Sequence, residues 1–323
     1  MLPRGCILAA LLAAGLLLAG GLFLRGWYGA GPLDKDHSFI VPGGSSLNSV
    51  AAKLEKEGAI GSAGRFSIRA RLFGGGAPIK AGEFLLPKGA SQSAILAIIQ
   101  SDDVIRRFVA IPEGMPAIMV HARLMAQEHL AGQVAVPLEG SVLPESYDFE
   151  RGEAREAVLR RMQAAMRRTL AELWAKRAPG IAVRTPAEAV ILASIVEKET
   201  GKPSERRMVA GLYSNRLKQA MMLQADPTII YPITRGKPLG RRIRQSEIQA
   251  VNDYNTYTMI GLPRAPITNP GRESIAAVLN PAKTRALFMV ADGTGGHAFA
   301  DTLEAHNRNV EKWFAIRRAR GEL

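Results

Sequence analysis

Cysteine is almost absent: Cys6 is the only one in 323 residues, which excludes an intramolecular disulfide and any Cys-x-x-Cys metal site. Aromatics make up 6% of the chain, too few to build stacking platforms for single-stranded nucleic acid. The histidines lack HExxH spacing, so His297 and His306 do not make a zinc motif, and no metal or cofactor is expected. Neither a Gly-x-Ser-x-Gly elbow nor a phosphate loop occurs; the glycines at 74–76 have no Lys-Ser/Thr after them. Acidic residues are outnumbered, 29 against 42 Lys and Arg, for a net charge of +13. That charge suits an acidic polymer, lipid headgroups or nucleic acid. The basic residues are dispersed as pairs beginning at Arg106, Arg160, Arg167, Arg206, Arg241 and Arg317, which argues against a nucleic-acid arm, and no nucleic-acid partner is expected.

What is present begins with residues 6–24, CILAALLAAGLLLAGGLFL, an uncharged run flanked by Arg4 and Arg25. It is long enough to span a bilayer and longer than a signal-peptide core. Trp27 and Tyr28 stand where interfacial aromatics belong. The best small-x-small cleavage choice, Ala19-Gly20-Gly21, falls inside the apolar run, so an uncleaved anchor over residues 6–28 is expected. Residues 1–5 then form a cytoplasmic stub, residues 29–36 a linker, and the bulk of the chain lies outside the cytoplasm.

The hydrophobic content of 47% describes a folded chain, and its length suits two domains. Residues 37–108 make a small α+β unit. Phe39, Ile40 and Val41 form a strand. Ser45 or Ser46 then caps a helix with Leu47, Val50, Ala51 and Leu54 at helical spacing, closed by Gly58. A helix over 65–73, a strand over 79–86 and a helix from Ser91 follow. The run 44–54 resembles the first strand–helix turn of LysM domains. Residues 109–323 form a second α+β region, with a strand over 104–111, a helix around His121, an ordered loop over 139–149 and a basic amphipathic helix over 153–177.

Residues 185–200, TPAEAVILASIVEKET, organise that second region. Thr185 can cap, Pro186 suits the first helical position and Glu188 completes a Thr-x-x-Glu capping box. A step of about 100° per residue puts Leu192, Ile195, Val196 and Glu199 in one apolar sector, while Glu197 points towards Val190 and Ala193. A carboxyl held among apolar side chains loses solvation of its charged form, so its pKa rises and it can donate a proton near neutral pH. Spacing alone leaves open a Glu paired with an Arg or capping a neighbouring helix. Further on, residues 205–218 make a helix carrying Tyr213, Asn215 and Arg216. Polar loops follow at 223–231 and 254–258, rich in Gln, Asp, Asn, Thr and Tyr, the donors and acceptors that sugar hydroxyls and acetamido groups require. The chain ends in a hairpin over 286–300 and a helix from Thr302.

Six ordered blocks, ASIVEKET (193–200), the 205–216 helix ending in Asn-Arg, LQADPTIIY (223–231), YNTYT (254–258), GLP with ITNPG (261–271) and ADGTGGHAF (291–299), resemble the endolytic murein transglycosylases, the MltG or YceG-like family. The resemblance covers most of the chain outside the anchor. It implies a membrane-anchored, LysM-like module at 37–108 before a catalytic α+β domain at 109–323, in the periplasm on the bacterial inner membrane. The substrate implied is the peptidoglycan glycan strand, cut internally between MurNAc and GlcNAc to leave 1,6-anhydroMurNAc ends. Nascent strands would thereby stop growing, and peptidoglycan synthases are the implied protein partners.

The catalytic Glu of that family falls within EKET, which holds two; helical phase favours Glu199, and Glu197 is the alternative. The stretch 194–200 also resembles the Ile-x-x-Glu-Ser segment of lysozyme-like lytic transglycosylases, whose acid aligns with Glu199. Gln224, Asp226, Tyr254, Asn255 and Thr258 are the candidates to hold the sugar. An aromatic that family members carry near residues 141–146 is absent here. Two other readings compete: a muramidase-type hydrolase using Asp226 or Glu145 as a second carboxylate, and a non-catalytic peptidoglycan-binding envelope protein.

Overall fold

A computed structural model describes residues 4–322, so the first three residues of the expected stub lie outside the described residues. It opens on α1 (Arg4–Tyr28), whose Ala10–Tyr28 stretch has a mean hydropathy of 1.6 and is almost wholly exposed. The helix is long and apolar enough to cross a membrane. By packing, the chain divides into two units, Met1–Arg107 and Phe108–Leu323.

The first unit runs β1 (His37–Val41), α2 (Leu47–Lys56), α3 (Ala63–Phe73), β2 (Gly82–Leu86) and α4 (Gln92–Gln100). Each of its three helices after α1 starts on a serine: Ser46, Ser62 and Ser91 accept the backbone N–H of Ser49, Arg65 and Ala94. Such caps satisfy donors that a helix start leaves open. The two strands pair antiparallel with Phe39 opposite Phe84, and both rings enter a core with Leu54, Phe66, Ile95 and Ile99. Trp27 belongs to that core too, at 2% exposure, and meets protein on every side; Tyr28, its neighbour, is exposed. Residues 29–36 are likewise bonded into the unit, through Gly31 N–H to Gly89 O and Gly89 N–H to Leu33 O.

In the second unit β3 (Arg107–Ala110) pairs with β4 (Ser146–Phe149), and α5 (Ala117–Met125) lies between them in sequence. Then come α6 (Arg155–Ala175), α7 (Pro186–Glu199), α8 (Arg206–Lys218), α9 (Pro227–Thr234), α10 (Gln245–Ile248) and α11 (Arg272–Leu279). The hairpin β5 (Phe288–Ala291) with β6 (His297–Ala300), Met289 opposite Phe299, leads into α12 (Leu303–Ala319).

Helix α7 is the centre of this unit. Thr185 caps it by accepting the Glu188 N–H at 3.1 Å, but the Glu188 carboxylate turns back to the Arg184 N–H at 2.6 Å, one residue short of a capping box. The single apolar stripe expected from phase is also too narrow a description. Ala189, Val190 and every residue from Leu192 to Val196 are buried, because α6, α8, α9 and α11 surround the helix. Between Ala189 and Val196 only Ile191 is partly exposed, so that stretch has no polar face to keep. Two of those neighbours, α9 and α11, have eight residues each, too short for periodicity to reveal.

Candidate active site

Glu199 ends α7, and the chain turns away at Thr200. Its carboxyl enters a cleft of about 310 Å³ walled by Leu212, Tyr213 and Arg216 of α8, by Leu223, Gln224 and Asp226, and by Tyr257. The far wall is the hairpin and the last helix: Met289, Val290, Ala291, His297 and His306. Burial pushes the Glu199 carboxyl up to about 8, and the negative charge of Asp226 pushes the same way. The Tyr213 hydroxyl and the Arg216 guanidinium oppose both. Burial and the nearby carboxylate hold Tyr213 well above its ordinary value, so it stays a phenol and a donor. One oxygen remains bare: Glu199 Oε1 is enclosed and has no hydrogen-bond partner. A buried carboxyl oxygen without a partner is costly unless it carries a proton or meets a ligand.

Glu197, two residues earlier, differs in its partners. Its Oε2 accepts the Gly271 N–H at 2.9 Å, and its Oε1 lies 3.7 Å from Arg206, which also bonds Glu113 at 2.7 Å. Glu197 therefore ties α7 to the starts of α8 and α11.

The remaining expected site residues divide. Gln224 and Asp226 reach the cleft. Gln224 adopts φ +54°, a left-handed conformation rare for a side-chain-bearing residue; its N–H bonds Thr256 O and its Oε1 accepts from Arg216 at 3.2 Å. Asp226 accepts the Tyr257 hydroxyl at 2.6 Å. Tyr254, Asn255 and Thr258 do not line the cleft. Asn255 is fully buried and spends its amide on the carbonyls of Glu247, Ile248 and Ala250, while Thr258 bonds back to Asn255 O and Tyr254 packs on Tyr231 at 4.8 Å. These three shape the loop that presents Tyr257 and lie outside the cleft around Glu199. Glu145, exposed, is also outside the cleft.

Tyr213, Arg216, Tyr257, His297 and His306 were not among the expected site residues. Tyr213 and Arg216 stand three apart on α8, which sets them on one face, a usable signal. The Arg216 Nε donates to Leu287 O at 2.6 Å and Nη1 to Leu223 O at 2.8 Å, fastening the hairpin and the 223 loop together. His297 joins from the other side: its Nδ1 lies 2.9 Å from Glu205, which also accepts the His297 N–H at 3.1 Å. Gly296 lets the Glu205 carboxylate in, since a Cβ there would stand 2.2 Å from it and push the side chain aside. Among the described residues no three His, Cys, Asp or Glu side chains gather in the manner of metal ligands.

A second buried carboxyl, Glu139, lies outside this cleft. Burial raises it to about 7, against the hydrogen bonds it accepts from the Ala117 N–H at 2.8 Å and the Tyr231 hydroxyl. Asn269 Nδ2 approaches the same oxygen at 3.4 Å.

Comparison with known proteins comes to the same region of sequence space. The model of the YceG-like family matches residues 39–312. The endolytic murein transglycosylase of Bacillus subtilis is 26% identical, over 93% of this chain and 92% of its own length. That of Streptococcus pneumoniae serotype 2 is 27% identical over 95% of this chain and 65% of its own length. The 2.6 Å crystal structure of a YceG-like protein from Listeria monocytogenes aligns with a TM-score of 0.52 at 25% identity, covering 85% of this chain and 99% of that one.

Proposed function

The chain belongs to the YceG-like family, and on that footing we propose that it is an endolytic murein transglycosylase in which Glu199 alone supplies both acid and base. The observation that carries this reading is the bare Oε1 of a carboxyl raised to about 8 at the wall of a polar cleft. Protonated at neutral pH, Glu199 donates to the glycosidic oxygen as the C1–O bond breaks through an oxocarbenium-like state. The carboxylate left behind takes the proton of the MurNAc C6 hydroxyl. That oxygen attacks C1 and closes the 1,6-anhydro ring. The proton count returns to its start and no water is consumed.

Tyr213 orients the carboxyl and remains a donor throughout. Gln224, Asp226 and Tyr257 are the groups available to sugar hydroxyls and the acetamido group. Asp226 also makes Glu199 a better-held acid by raising its pKa. A hydrolase reading draws on the same Asp226 as a second carboxylate.

The rest of the architecture fits an enzyme working at its site of synthesis. Helix α1 anchors the chain in the inner membrane, residues 37–108 act as a LysM-like glycan-binding module, and residues 109–323 carry the chemistry in the periplasm. Cutting nascent strands near the membrane would end their elongation beside the synthases that make them. Digestion of purified glycan by the full-length protein tests the reading. Internal cleavage with anhydroMurNAc ends is expected; exclusive release of terminal disaccharides contradicts the endolytic assignment.

A further inference from the structure

Helix α3 leaves an apolar end uncovered within the first unit. Ile68, Leu72 and Phe73 are 54%, 66% and 42% exposed. Ile68 and Leu72 are four apart and share a face. Beyond them the chain reads LFGGGAPI over residues 72–79, without a charge between Arg71 and Lys80. Isolated exposed apolar residues are ordinary on any protein surface. This group is not isolated, because it continues the apolar surface of α1.

The continuity is direct. The Phe73 ring lies 6.0 Å from Phe23 and 6.0 Å from Trp27, both on α1. Phe23 falls inside the apolar Ala10–Tyr28 stretch. At about 1.5 Å rise per residue it stands roughly 7 Å below the end of α1 at Tyr28. A side chain packed beside Phe23 is therefore level with a part of α1 that is in lipid whenever α1 spans a bilayer. Arg69 fixes this geometry. Its guanidinium donates to Gly26 O at 3.1 Å and to Gln92 at 3.0 Å and covers the Phe23 ring at 4.9 Å. A Cβ at Gly26 would meet that guanidinium at 2.2 Å, so glycine is what gives the Arg69 head its place against α1. Arg65 and Arg71, exposed on α3, add the positive charge that anionic headgroups favour.

We infer that the end of α3 and the uncharged turn after it insert into the outer face of the bilayer beside α1. The occupant of this surface is phospholipid, and the first unit is then seated on the membrane over an area and does not swing from a single helix. Amphipathic segments of this kind bury their apolar face about 5–10 Å into the headgroup and acyl boundary, the depth the Phe23 contact sets. The inference rests on α1 being a membrane span.

Depth-dependent quenching tests it in the full-length protein, reconstituted in phosphatidylethanolamine–phosphatidylglycerol vesicles. With Cys6→Ser as background, an environment-sensitive fluorophore is attached through Leu72→Cys, an exposed position that tolerates a cysteine, and in a parallel sample through Leu24→Cys in α1. The inference predicts that spin-labelled lipids remove most of the emission at both positions and that aqueous iodide removes little. Quenching at residue 24 by lipid but at residue 72 by iodide would overturn it while leaving the anchor intact. Iodide quenching at both would remove the membrane span itself, and the inference with it.

Discussion

Two carboxyl sites in the second unit are both pushed towards the protonated form by burial, Glu199 to about 8 and Glu139 to about 7, yet they are built to opposite ends. Glu139 sits where three elements converge and is answered by Ala117, Tyr231 and Asn269. Glu199 has the Tyr213 phenol as a partner and nothing on Oε1, and it lies at the wall of a cleft. A raised pKa is thus common to a joint and to a reactive group. The unsatisfied oxygen separates them: Glu139 has its partners, whereas a buried carboxyl oxygen without one, at a cleft wall, leaves a place for a ligand to fill.

The sharpest way to break that contrast is substitution at each carboxyl. Glu199→Gln should lower the rate of glycan cleavage by about 10³-fold or more, the upper range for removing a general acid and base. Glu139→Ala should leave chemistry largely intact but destabilise the fold by about 1–3 kcal/mol, the usual penalty for stranding buried donors, read as a shift in denaturant midpoint. If Glu139→Ala abolished cleavage in a fully folded protein, the distinction would fail. Glu197→Gln should behave like the Glu139 variant and keep activity within about tenfold, since the amide still accepts from Gly271 and only a 3.7 Å pairing with Arg206 is lost.

Stability against pH gives the next largest effect. A carboxyl whose folded pKa is raised contributes most below its unfolded value near 4.5, and that contribution is lost as pH rises to the folded value. The native state binds the extra proton in that window, so stability falls with rising pH. For Glu199 the window runs to about 8. Glu199→Gln should match the wild type at pH 4 and exceed it by roughly 2–4 kcal/mol at pH 8, each pKa unit being worth about 1.4 kcal/mol. Equal pH dependence of the two proteins would deny the burial argument.

The finest test moves the alkaline limb of the pH–rate profile in opposite directions. Tyr213 stabilises the charged form of Glu199 and Asp226 disfavours it. Tyr213→Phe should carry the limb to higher pH, and Asp226→Asn should carry it lower, by roughly 0.5–1 unit each.

Much of the fold was legible because its signals are local. The serine caps of α2 and α4, the apolar run of α1 and the turn of the β5–β6 hairpin were read from a few adjacent residues, and the structure keeps them. What escaped depends on distant partners. Trp27 follows an anchor and looks interfacial, but its neighbours Phe66 and Phe73 lie some forty residues on. Phase distinguished Glu199 from Glu197 for an incomplete reason: α7 is buried on most of its circumference between Ala189 and Val196, and it is Gly271 and Arg206 that occupy Glu197. The polar loop at 254–258 holds one residue that faces the cleft, Tyr257, and composition alone could not tell it from Tyr254 and Asn255, which hold the loop in shape.

The central claim is that one carboxyl, returning its own proton, does the whole reaction without water. Mass analysis of muropeptides from glycan digested in heavy-oxygen water tests it most directly. The account predicts anhydroMurNAc ends with no incorporated label, all dependent on Glu199 and present in the Glu197→Gln variant. Labelled reducing ends, or unlabelled anhydro ends that persist in Glu199→Gln, would contradict it.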